Sequence, residues 1–268
     1  MLCFRRAPGS AVRTDPCGIA GGSPIKQSNG GEYNPTQFAK QGDLGSHLPE
    51  QPHGVVWKAG AVVNTTLFLK ANHGGGWSYR LCKADQPLTE ECFEKTPLSF
   101  ATNTQVLRLA DGTEQVINAT IVSEGTTPPG SQWVMNPVPE CCPADGVCEK
   151  NGLTCGSAQS HACYDHECGV VAGFGKSVPE FPWPVSDDVK TAPPTNLSPK
   201  FSIVDSLRLP DDLEPGAWVL GWRWDAEATT QIWESCADVT ISSQEAGGAR
   251  ATRRKTYSTY FFPHLIFE

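Results

Sequence analysis

Apolar and polar residues alternate along the chain in short stretches that Gly, Pro and Asn interrupt. In "AVVNTTLFLKA", residues 61–71, Val63, Thr65, Leu67 and Leu69 fall on one face. The segments "WSYRLC", "QVLRLA", "QVINATIVS" and "SIVDSLRLP" have the same β-branched, period-two character. "AWVLGWRWDA", residues 217–226, sets Trp218, Leu220, Trp222 and Trp224 on one side. No segment carries a convincing helical period. Strands at this spacing, with 26 Gly and 22 Pro in the chain, predict an all-β fold and favour a two-sheet sandwich over a helical or doubly wound one.

Three regions break the pattern. Residues 1 to about 50 are polar and rich in Gly, Pro and Asn, which predicts a long ordered loop or arm. Residues 138–199 hold six of the eleven cysteines and many prolines, too many for central strands. They read as a disulfide-stapled insertion, so the sandwich is discontinuous, over 1–137 and 200–242. The tail, 243–268, turns from polar and basic to aromatic and is expected to be disordered, without a packed partner.

Charge and cysteine content narrow the function. A net charge of -8 excludes the basic stripe that a nucleic-acid partner needs. No run of about 18 apolar residues occurs, so no membrane span is expected. Eleven cysteines point to an oxidising compartment, and Asn-x-Ser/Thr triplets at Asn64, Asn118 and Asn196 agree with a secreted glycoprotein. The opening "MLCFRRAPGS" has no apolar signal-peptide core, and the reading that reconciles these signs is that Met1 is not the true start.

The stretch "ANHGGGWSYRLC", residues 71–82, sets His73 against three glycines, where no Cβ hinders a close approach to the imidazole. A plain Gly-rich turn would look the same. Elsewhere the chain has no G-x-S-x-G, no P-loop and no recognisable Ser, His and Asp set. Glu90 with Glu91, and Asp211 with Asp212, read as solvated charge in loops. His161, Cys163, His166 and Cys168 are of the types that bind zinc, but in a secreted chain disulfides are the expectation.

The segments "RAPGSA", "CGIAGG", "FAKQGDLG", "VWKAG", "ANHGGGWSYRLC", "LTEECFEKTPL", "VSEGT", "WVMNPVP" and "WVLGWRWDAEATTQIWESCADVTI", in that order, resemble secreted lytic polysaccharide monooxygenase-like proteins of the algal and oomycete-like type, also called chitin-binding type-4 domain proteins. The resemblance covers residues 5–137 and 200–242. It implies an immunoglobulin/fibronectin III-like β-sandwich and one copper ion in a histidine brace, built from an amino-terminal histidine and a second histidine. Three such nitrogens suit copper. Oxidative cleavage of a chitin- or cellulose-like glycan, with an external electron donor, would follow, in a secreted monomer.

By the resemblance, His73 matches the second brace histidine. Gln231 would be the outer hydrogen-bonding residue, and Trp233 would stand at the axial position that Tyr or Phe commonly holds. A core role for Trp233 is the alternative. The chain departs from the pattern at two places. No histidine precedes His47, so the first brace ligand is missing and the chain is expected to be inactive as written, copper binding being conditional on an upstream histidine. Ala226 stands where relatives often have a cysteine, which leaves the partner of Cys236 open. Candidates for stacking on sugar are Tyr33, Trp77 and Tyr79, although Trp77 and Tyr79 share one strand face and would serve equally as core. The runner-up function is a non-catalytic secreted carbohydrate-binding or cell-wall protein on the same fold.

Overall fold

A computed structural model of the protein describes residues 7–25, 35, 37–67, 75–109, 113–137, 201–226, 231–243 and 265–267. The strands are β1 Val56–Lys58, β2 Val62–Leu67, β3 Gly76–Lys83, β4 Ser99–Phe100, β5 Thr104–Leu109, β6 Glu114–Asn118, β7 Ile121–Val122, β8 Trp133–Met135, β9 Phe201–Arg208, β10 Gly216–Asp225, β11 Ile232–Ser242 and β12 Leu265–Phe267. A short α-helix, α1, spans Glu90–Glu94. The strands form two sheets, ordered β1-β11-β10-β3-β8-β7 and β12-β2-β9-β5-β6, with β4 on β9. The two-sheet β-sandwich expected from the alternation is the architecture found.

The same alternation decides which side chains go inside. Trp218, Leu220, Trp222 and Trp224 of β10, Trp77, Tyr79 and Leu81 of β3, and Val63, Leu67, Leu107, Ile203 and Leu207 of the facing sheet share one buried cluster. Burying side chains of this size removes apolar area from water at roughly 25 cal/mol per Å². Trp222 lies between Trp77 and Trp224, at ring-centroid distances of 6.4 and 6.2 Å. A carboxylate lies in this interior. Asp205 on β9 is buried and accepts hydrogen bonds from Gln105 Nε2 (2.8 Å), Trp77 Nε1 (2.7 Å) and Tyr79 O–H (2.8 Å). The last two donors come from the opposite sheet, so Asp205 ties the sheets together.

The outer face of the first sheet is covered as well. Thr89 caps α1 by accepting from the Cys92 N–H, and the Cys82–Cys92 disulfide holds the helix against β3. Gly221 on β10 makes the fit possible: a Cβ there would lie 2.9 Å from the Phe93 ring. Beside α1 runs the amino-terminal arm, with 3-10 turns at Ala20–Gly22 and Gly45–His47 and a single bridge, Ile19 to Leu44. The Cys17–Cys236 disulfide bonds the arm to β11 and supplies the partner of Cys236 that the sequence left open.

Within the tail, Leu265–Phe267 pairs antiparallel with Thr65–Leu67 and adds a strand beside β2. Residues 138–199, including Asn196 and the insertion's cysteines, lie outside the described residues, as does most of the rest of the tail.

Candidate functional site

Register brings three strand ends together. Asp225, the last residue of β10, stands opposite Gly76 at the start of β3 and opposite Ile232 at the start of β11. Gly76 also pairs with Met135 of β8, and Gly75 C=O accepts from the Asn136 N–H. The turn from β10 to β11 is closed by Ala226 N–H to Gln231 C=O, 3.1 Å. Strand β3, which begins three residues after His73, therefore starts at the same end of the sheet as Gln231.

The arm reaches this end too. Gly9 N–H donates to Asp225 Oδ2 at 3.0 Å, and Pro8 C=O accepts from Thr127 N–H. Gly9 has φ +82°, and a Cβ there would lie 2.2 Å from the Thr127 carbonyl oxygen, so only glycine fits without displacement.

A buried charge layer fastens the arm on the outer face. Arg223 Nε donates to Asp225 Oδ1 (2.8 Å), its Nη1 to Glu90 Oε1 (2.8 Å) and its Nη2 to the Ala11 carbonyl (2.9 Å). Arg80 pairs with the same Glu90 oxygen, and Arg13 Nε donates to Glu234 Oε2 at 2.9 Å. Burial pushes the Glu234 carboxyl above its usual range, against the pull of Arg13, Arg80 and Arg223. For Arg223 burial works against the charge, yet Asp225, Glu90 and Glu234 outweigh it and raise the guanidinium's affinity for its proton. The layer is a clamp that holds arm and helix on the sheet.

The anticipated residues divide sharply. Gln231 is exposed at the convergence of strand ends. Trp233, opposite Trp224, is half-buried and packs against the main core, and a Cβ on Gly22 of the arm would be 3.9 Å from its ring. Trp77 and Tyr79 are corrected: both are 0% exposed and committed to Asp205, so neither ring can stack on a sugar, and the core alternative holds. Burial, with the Asp205 carboxylate adding to it, pushes the Tyr79 phenol well above its usual range. His73 and Tyr33 lie outside the described residues.

Glu90 is corrected as well. It begins a helix and joins two arginines, where its run of neighbours reads as solvated charge. Asp211 and Asp212 are exposed as expected. Asp225 and Gly9 escaped the sequence reading, and their only trace was the glycine in "RAPGSA".

Among the described residues no three His, Cys, Asp or Glu side chains gather as a metal site. Asp225 at the sheet end is already taken by Gly9 and Arg223. These side chains do not by themselves fit a copper ion.

Fold and site together define a β-sandwich protein whose amino-terminal arm is fastened across one sheet, with Gly9 held at that sheet's loop edge. No protein-family model and no curated relative matches the chain. Among solved structures it is similar to a lytic polysaccharide monooxygenase AA15 from Thermobia domestica in the Cu(I) state, at 16% identity and a TM-score of 0.31, over 70% of this chain and 62% of that one. The chain thus spans less than two thirds of that protein's length. Among the described residues no helix is long and apolar enough to cross a membrane.

Proposed function

We propose that the protein is a secreted, polysaccharide-active protein of the lytic polysaccharide monooxygenase-like type, and that the sheet end around Asp225 faces the glycan. One observation supports this above the others: the arm's start at Gly9, the strand entry at Gly76 and Gln231 meet at a single edge, through Asp225. All three belong to the segments that carry the family resemblance. His73 is three residues before Gly76, so covalent geometry keeps it within about 11 Å of that edge.

In this reading one copper ion would be held by His73 and by an amino-terminal histidine, which the sequence does not contain before His47. When bound, such an ion would supply redox chemistry: with electrons from an external donor and oxygen or hydrogen peroxide as the oxidant, a glycosidic C–H bond would be oxidised. The described residues have simpler tasks. The exposed amide of Gln231 offers a donor and an acceptor to sugar hydroxyls or to the metal's surroundings. Trp233 carries no oxygen, so its ring shields the edge sterically. Asp225 and Arg223 hold the arm where an amino-terminal group would be presented.

The test compares the chain as it stands with a form whose processed terminus is a histidine placed ahead of the "RAPGSA" segment. Calorimetry and electron paramagnetic resonance should find tight Cu(II) binding in the second form alone, lost on His73→Ala. If neither form binds copper while both are retained on chitin or cellulose, the monooxygenase reading falls and the non-catalytic carbohydrate-binding protein stands.

A further inference from the structure

The outer face of the second sheet carries a pattern that the proposed function does not use. Val63 and Ile117 point into the core, so their neighbours lie on the other face: Val62, Asn64 and Thr66 from β2, and Val116 and Asn118 from β6, all exposed but Thr66, which is buried. Asn64 and Asn118 are both exposed, and each opens an Asn-x-Thr triplet, with Thr66 and Thr120.

Register relates the two positions. Thr66 pairs with Val204, Val204 with Val106 and Val106 with Val116, which makes one row across four strands. Asn64 precedes Thr66 by two residues and Asn118 follows Val116 by two. Because β2 and β6 run in opposite directions, both asparagines fall on the same side of the row. Three strand spacings, about 14 Å, separate them.

Two further features point to a covering group. Val62 and Val116 are exposed at 49% and 64%, and each lies two residues along the same face from one of these asparagines. Ser206 Oγ donates to Asn64 Oδ1 at 2.8 Å, which fixes the carbonyl side of that amide against the sheet and turns Nδ2 the other way. Strand β6 also ends the sheet, where an uncovered edge invites pairing with another chain.

We propose that Asn64 and Asn118 are N-glycosylation sites, and that their glycans cover Val62, Val116 and the β6 edge. The donor class is a lipid-pyrophosphate-linked oligosaccharide. Asn Nδ2 bonds to the sugar C1, the C1–O bond to pyrophosphate breaks, the lipid pyrophosphate leaves with the electron pair, and the amide releases one proton. The inference rests on the secretory route of the proposed function and on nothing else in it.

The test expresses the full chain behind a cleavable signal peptide in a eukaryotic secretory host. Secreted and retained fractions are both digested with peptide-N-glycosidase in heavy-oxygen water. Peptide mass spectrometry should find labelled aspartate at positions 64 and 118, and Asn64→Gln and Asn118→Gln should each lose one glycan's step on a gel. Unmodified asparagine at both positions in either fraction would overturn the proposal, whether or not the variants fold. Copper binding, measured on the same protein carrying the processed amino-terminal histidine ahead of the "RAPGSA" segment, keeps the two ideas apart. Glycans without copper binding sink only the monooxygenase reading, and copper binding with bare asparagines sinks only this one.

Discussion

Gly9 and Asp225 are 216 residues apart in sequence and joined by a 3.0 Å hydrogen bond, the backbone N–H of one to the carboxylate of the other. The second oxygen of Asp225 is held by Arg223, and both charged side chains are almost wholly buried. The arm is thereby fastened at Gly9 to the edge where β10 ends and β3 and β11 begin.

Asp225→Asn tests that fastening. An amide has one acceptor, so either Gly9 N–H or the Arg223 guanidinium would face a donor in a buried place. The expected loss is about 2–4 kcal/mol in denaturant unfolding. Limited proteolysis with mass spectrometry should find faster cleavage within residues 7–17. Asp211→Asn, at an exposed position, should stay within about 0.5 kcal/mol of the parent.

The two disulfides should differ in weight. Cys17–Cys236 spans 219 residues and Cys82–Cys92 spans ten. Loop-closure entropy assigns the long link about 5 kcal/mol and the short one about 2–3. Replacing each pair with serines and comparing unfolding midpoints checks the order. If the short link proves the more costly, the arm contributes little to the fold.

What the sequence foretold follows from period two. Alternation marked Trp218, Leu220, Trp222 and Trp224 as one face, and that face is the core. It grouped Trp77 with Tyr79 but could not say that the shared face is internal, because the decisive partner, Asp205, lies more than 120 residues away on the other sheet. Glu90 misled for the same reason, since Arg223 is 133 residues distant. The pairing of Cys17 with Cys236 was equally out of reach, as spacing does not determine connectivity.

Asp205 makes stability depend on pH. Burial raises its carboxyl above the usual range, offset in part by hydrogen bonds from Gln105, Trp77 and Tyr79. The folded protein therefore holds this proton more tightly than the unfolded chain. That contribution is complete below the unfolded pKa of about 3.9 and is lost as pH rises through the folded value. Asp205→Asn removes the leg. Measured against parent protein by denaturant unfolding from acid to neutral pH, the variant should gain in relative stability as pH rises through this window. Glu234 is raised by burial too, but it is common to both proteins and cancels in the difference. A difference that does not change with pH would show that Asp205 is not the group responsible.

The final prediction separates the core from the proposed glycan face. Trp77→Phe removes a buried donor to Asp205 and should cost about 2–4 kcal/mol of stability, with the affinity of the folded protein for chitin or cellulose unchanged. Gln231→Ala, at the exposed sheet end, should do the opposite: unfolding stays within about 0.5 kcal/mol of the parent, while glycan retention falls several-fold. Trp233→Ala should do both, because its half-buried ring belongs to core and edge alike. Retention measured on insoluble glycan, normalised to the folded fraction, distinguishes these cases. If Gln231→Ala and Trp233→Ala bind as the parent does, the glycan face lies elsewhere on the sandwich, and the convergence at Asp225 serves only to anchor the arm.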